Sequence, residues 1–247
     1  MRKALLVCRR ELAAMGAGPL AWVLGAVFVG LTGYFFYSDL ALFVLVGGGN
    51  PARGLWRYVF LDYRLVALLV LPLVTMRLLA EERKLGTLEL LWTLPLRDGE
   101  ILAGKFLAAL VLYVAMLAGT LVGPVILSLH HPFAWGPVVA GMTGMLLLGT
   151  AFIACGLAAS AMTENQVVSA MVTYGILVFA WFVTWNEAAM GPALAAVLLQ
   201  VSLFDRFYGF AQGVVASPDV VYLLAVAALF LFLALRALGA RAWRGIG

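Results

Sequence analysis

Few residues in this sequence have the type and spacing to do chemistry. His130-His131 places two metal-ligating side chains together, but with no cysteine or third ligand nearby the pair falls short of a zinc set. Cys8 lies in a basic N-terminal segment and Cys155 inside an apolar run, so neither a disulfide framework nor a reactive thiol is expected. A Gly-x-Ser-x-Gly context, HExxH, an aspartate-rich membrane-edge motif and a Walker A sequence are all missing. That argues against an intramembrane hydrolase or transferase and against ATP hydrolysis by this chain. The chain is expected not to be an enzyme. What remains is one charged segment, residues 76–105 (MRLLAEERKLGTLELLWTLPLRDGEILAGK), and an acidic turn, Met162-Thr163-Glu164-Asn165-Gln166.

The elements that must position these residues are apolar. Of 247 residues 65% are hydrophobic and 11% charged, against roughly 45–50% and about 25% in soluble domains. Mean hydropathy is +1.06. Residues 12–38, 106–129, 132–163 and 165–186 form uncharged or nearly uncharged runs, each longer than the roughly 20 residues that cross a bilayer core. They lack the alternation of transmembrane β-strands, and the first run is too long for a signal-peptide core. No basic stripe interleaved with aromatics supports nucleic-acid binding.

An all-α polytopic membrane protein follows, one domain over 1–247, with six spans expected near 18–40, 57–79, 101–129, 137–161, 166–185 and 219–238. Six spans put both termini on one side. Twelve of the 16 basic residues fall in the N-terminal segment, residues 77–105 and the tail, so that side is the cytoplasm. The second span is the most strained: only twelve uncharged residues separate Arg64 from Arg77, about 18 Å of helix against a core of about 30 Å. Asp62 and Arg64 are therefore placed at the outer interface, as anchors or as an ion pair. Residues 188–218 read as an outer re-entrant hairpin, because the apolar stretch 191–204 is too short to span. With no charge deep inside spans three to six, a proton-relay antiporter is disfavoured, and Gly141, Gly144, Gly149 and Gly156 read as packing positions.

Two segments look mechanical. Residues 1–16 place Ala4, Leu5, Cys8, Leu12 and Met15 on one helical face and Arg2, Lys3, Arg9 and Arg10 on the other. This is an interfacial helix, or equally a plain positive-inside flank, ended by Gly16, Gly18 and Pro19. In residues 80–97, Gly86 permits a turn and Thr87 can cap a short helix whose Leu88, Leu91 and Trp92 share a face. Pro95 ends that helix. Asp98 is the expected N-cap of the third span, with Glu100 in its first turn. The short helix can dock on a partner or lie on the lipid surface.

The string 81–105 resembles the signature of ABC-2 type permeases: Glu81-Glu82, Gly86-Thr87, Glu89, Leu94-Pro95 and Gly104-Lys105 stand at the recurring positions. The resemblance implies the permease half of an ABC transporter, by default an exporter, in a bacterial inner membrane. It also implies a second copy or related permease as partner, and two cytoplasmic ATPase subunits that bind ATP and Mg, leaving this chain without a cofactor of its own. It makes 1–16 a connecting helix and 80–97 a coupling segment, in which Glu81, Glu82 and Glu89 meet the ATPase and Leu88, Leu91 and Trp92 anchor it. Glu164 either joins that contact or is a solvated turn. Within the family the chain is similar to the gliding-motility-associated group through Pro72, Met76 and Arg77 and through Phe207, Phe210, Gly213, Asp219 and Tyr222. Arg206 stands where histidine is commoner and Ala216 where aspartate is. A membrane scaffold coupled to an ATPase without moving a solute is the alternative reading, and the substrate is not legible.

Overall fold

Glycine and proline punctuate the chain where the sequence implies. In the computed structural model, which describes residues 2–46, 54–86, 97–182 and 202–242, α1 (Arg2–Ala17) ends as expected. Gly18 is extended and Pro19 opens α2 (Pro19–Leu45) at its first turn, where a missing N–H costs nothing. Then come α3 (Leu55–Thr75), α4 (Ala80–Lys84), α5 (Asp98–Thr120), α6 (Val122–His130), α7 (Gly136–Met162), α8 (Gln166–Phe182), α9 (Leu203–Ala211) and α10 (Ser217–Ala242). No strand occurs among the described residues.

Among the described residues, five segments are long and apolar enough to cross a bilayer: α2, α3 with α4, α5 with α6, α7, and α10 through Gly239. Over the expected fifth span lies α8, an apolar helix of 17 residues or about 26 Å, shorter than those five, and residues 183–185 lie outside the described part. So do 87–96 of the coupling segment and 188–201 of the outer hairpin.

Two of the expected spans carry a break, and one expected helix cap is corrected. The second span is not one smooth helix: Pro72 sits inside α3, and a turn over 76–79 separates it from α4. The third is broken at Leu121, because Pro124 cannot donate back to Thr120. Asp98 is not the cap of α5. It is the first helical residue, and Glu100 Oε2 instead accepts the Arg97 N–H at 3.1 Å, closing the turn from the inside.

At the centre, α7 meets α3, α5, α8, α9 and α10, and its glycines make this possible. A Cβ at Gly141 would lie 2.1 Å from the Phe60 ring, at Gly144 2.4 Å from Phe210, at Gly149 2.2 Å from Tyr113 and at Gly156 2.0 Å from Thr75 Oγ1. Gly141, Gly149 and Gly156 each receive one partner side chain, and Gly144 receives Phe207 beside Phe210. The Tyr113 hydroxyl passes Gly149 to donate to the Met145 carbonyl at 2.7 Å, satisfying a fully buried phenol.

Candidate functional site

The polar residues of α1, α4 and α5 converge at one junction. Its assembly starts with Gly104, where a Cβ would stand 2.6 Å from Val7 Cβ and 2.8 Å from the Ala4 carbonyl oxygen. Its bare backbone lets α1 lie directly on α5. The buried stripe of α1 is Ala4, Val7 and Cys8, with the Glu11 side chain only 13% exposed. Leu5, expected on that face, is 61% exposed. Ala4 and Cys8 are buried and Leu12 and Met15 partly buried on the expected face, with Val7 and Glu11 completing it in place of Leu5.

One residue beyond Gly104, Lys105 is 1% exposed, and its Nζ lies 3.1 Å from Glu11 Oε1 and 3.0 Å from Glu82 Oε2. Arg10 closes the square, with Nη2 3.1 Å from Glu11 Oε1 and 3.0 Å from Glu82 Oε1. Two cations and two carboxylates alternate across three helices. Arg10 is more than half exposed, so its pairs add about 0–1 kcal/mol. Lys105 is different, since a buried ammonium without counter-charge costs several kcal/mol.

Glu82 is held in place by α4, which is itself pinned from the far side. Ser160, fully buried on α7, accepts the Leu79 and Ala80 N–H groups, each at 3.0 Å, and donates to the Met76 carbonyl at 3.2 Å. One hydroxyl therefore satisfies both the start of α4 and the break after α3. Arg77 binds Glu81 through two hydrogen bonds of 2.9 and 3.1 Å. At the other end Gly86 adopts φ +68° and stops the helix, the turn read from the sequence.

Of the expected site residues, Glu81 and Glu82 therefore carry ion pairs within the chain, and Gly86 forms the turn. Thr87, Leu88, Glu89, Leu91, Trp92, Leu94 and Pro95 lie outside the described residues. Glu11, Lys105, Arg10 and Ser160 were not singled out as site residues. A signal existed for two of them: Glu11 is the sole acidic residue before Asp39, and Lys105 the sole Lys, Arg, Asp or Glu between Glu100 and Glu164. Beside the square, burial and then the nearby Glu11 carboxylate push the Cys8 thiol above its ordinary range. Glu164 stands in the three-residue connection between α7 and α8, where Asn165 Oδ1 caps α8 through the Val167 N–H at 2.9 Å. His130 is turned back on its own helix, with Nδ1 3.0 Å from the Ile126 carbonyl oxygen.

A second polar group gathers around α9. Arg64 is partly buried. Its guanidinium is 5.5 Å from the Trp181 ring centroid and 5.4 Å from that of Phe204, a cation–π pairing inside the helix bundle. Phe207 and Phe210 are fully buried. Gly213, at φ +84°, ends α9 in a Schellman turn through Val214 N–H to the Gly209 carbonyl, 3.0 Å. Arg206 Nη1 pairs with Asp219 Oδ1 at 2.8 Å and lies 5.5 Å from the Tyr222 ring centroid. The motif residues of 202–222 are thus one packed unit.

These helices define a multi-pass α-helical membrane protein. A family model described as ABC-2 family transporter protein matches residues 63–241, and the chain belongs to that family. Its class is accordingly a membrane transport subunit. No curated protein matches the chain.

Proposed function

We propose that the chain is the permease subunit of an ABC exporter in a bacterial inner membrane. In this reading α8, continued beyond Phe182, is the fifth of six spans. Both termini are cytoplasmic, and α9 belongs to a re-entrant hairpin on the outer side. Two copies, or this chain and a related permease, associate with two ATPase subunits that bind ATP and Mg. Phe207, Phe210, Gly213, Asp219 and Tyr222 support the reading of a relation to the gliding-motility-associated group.

The observation that carries the reading is the family match. The junction supports it mechanically, because a push on residues 80–97 would reach α1 through Glu82 and Arg10, α5 through Lys105 and α7 through Ser160. Leu88, Leu91 and Trp92 are the proposed anchor in the ATPase, with Glu89 beside them, and Glu81 and Glu82 tie that anchor to the spans. Replacing Leu91 and Trp92 with aspartate should leave the permease inserted but lower ATPase co-purification about tenfold or more, as loss of an interface anchor does. Intact co-purification and ATPase coupling in that variant would sink the docking site. An ATPase that co-purifies with wild type while no substrate moves in vesicles would favour the scaffold instead.

A further inference from the structure

The joint between α3 and α4 is filled on one side, tied on a second and open on a third. Towards α7 it is filled: a Cβ at Gly156 would lie 2.0 Å from Thr75 Oγ1, and Leu79 and Ala80, both fully buried, donate their N–H groups to Ser160. Towards α1 and α5 it is tied by Glu82 to Arg10 and Lys105. Arg77, Leu78 and Glu81, three and four residues apart and so on one face, instead line a cavity of about 320 Å³. Met15 of α1 and Ala21 and Leu24 of α2 are in its opposite wall, the corner where α1 turns into α2. Packed interiors leave few voids larger than a water molecule, so this side can take up a movement that the packed side resists.

The joint also has a hinge and an arm. Pro72 has no N–H to give to the Leu68 carbonyl, so α3 lacks a rung near its end. Beyond it, two hydrogen bonds of 2.9 and 3.1 Å between Arg77 and Glu81 brace the turn at 76–79 to α4, and the two form one body. Among the described residues, its hydrogen bonds to α7 run through the single hydroxyl of Ser160, a latch on the side away from the cavity. We propose that the cavity is the stroke space of this arm: when the ATPase pushes the coupling segment, residues 76–86 swing about Pro72 into the α1–α2 corner and close it. The proposal deepens the transport reading and rests on it. Because Glu82 rides on the arm, the stroke is passed to α1 through Arg10 and to α5 through Lys105, and the cavity sets its extent.

The reporter is Ala21→Cys, at a partly exposed position of the cavity wall, in a Cys8→Ala, Cys155→Ala background. Ala13→Cys, exposed on α1 and outside the wall, is the control. The complex with its co-purified ATPase is labelled with maleimide without nucleotide and after trapping with ATP, Mg and vanadate. Trapping should slow labelling at position 21 about tenfold and change that at position 13 by less than about twofold. Ala21→Phe, which fills the cavity from α2, should lower ATP hydrolysis by the complex about tenfold while co-purification is unchanged. Ala14→Leu, at an exposed position of the same wall, does the same if Ala21→Phe fails to fold. Equal labelling at position 21 in the two states, equal slowing at position 13, or undiminished hydrolysis in a folded, ATPase-bound filled variant would each overturn the proposal and leave the transport reading intact. A wild-type chain that brings down no ATPase would overturn both.

Discussion

Lys105 Nζ lies 3.0 Å from Glu82 Oε2 and almost out of reach of solvent. The contact joins the first turns of α5 to the short helix that follows α3. Glu11 completes the coordination at 3.1 Å, so one ammonium serves two carboxylates brought by separate helices.

Lys105→Met would leave those carboxylates facing an apolar side chain, and should destabilise the protein by about 3–5 kcal/mol. Adding Glu11→Gln and Glu82→Gln removes the stranded charges, so the triple variant should recover much of that loss. Thermal unfolding in detergent checks the order: a triple variant less stable than Lys105→Met would show that the pairs are not what the lysine is for.

Gly104→Val should lift α1 from α5, because even a Cβ meets Val7 and the Ala4 backbone below 3 Å. Overpacking of this kind costs about 1–3 kcal/mol. Maleimide labelling of Cys8 in a Cys155→Ala background reads the lifting directly and should speed up. The same assay carries a pH signature. Since burial and Glu11 raise the thiol's pKa, labelling at neutral pH is slow and should climb as pH passes above the ordinary thiol range. Glu11→Gln should shift that rise to lower pH. The sign for stability is opposite: the folded chain holds the Cys8 proton longer than the unfolded one, so this group's contribution weakens as pH rises through that window.

Ser160→Ala strands two buried N–H groups and a carbonyl that share one hydroxyl, at about 1–3 kcal/mol for each group left unpaired. Hydrogen exchange should accelerate at residues 79–84 before it does elsewhere. Ser160→Thr keeps the oxygen, and its protection of the same amides would separate the loss of the bond from a general loss of packing.

Tyr113→Phe removes the hydrogen bond to Met145 without changing the fit at Gly149, and should cost about 1 kcal/mol. Gly149→Ala places a methyl 2.2 Å from the same ring and should cost about 1–3 kcal/mol. Were Gly149→Ala milder than Tyr113→Phe in thermal unfolding, α7 would not be the tightly filled centre described above.

What the sequence by itself determined is set by local composition. Long apolar runs require helices that satisfy their own backbone in lipid. Gly18-Pro19 ends α1, Gly86 turns after α4, and the charged string between the second and third spans marks the family, all from neighbours in the chain. The break at Leu121 was hidden because hydropathy is blind to a proline within an apolar run, and the turn at 76–79 because it is held by Ser160, about 80 positions along the chain. On α1 the sequence misplaced Leu5 and missed Val7 and Glu11, since basic residues on an interfacial helix mark the solvated side less sharply than Gly104 marks the packed one. The charge square could only be decided in three dimensions. Arg10 and Glu82 are 72 positions apart, and whether Glu82 turns to a partner or to Lys105 depends on how closely α1 approaches α5. That approach is a matter of packing between helices, which the tertiary structure alone contains.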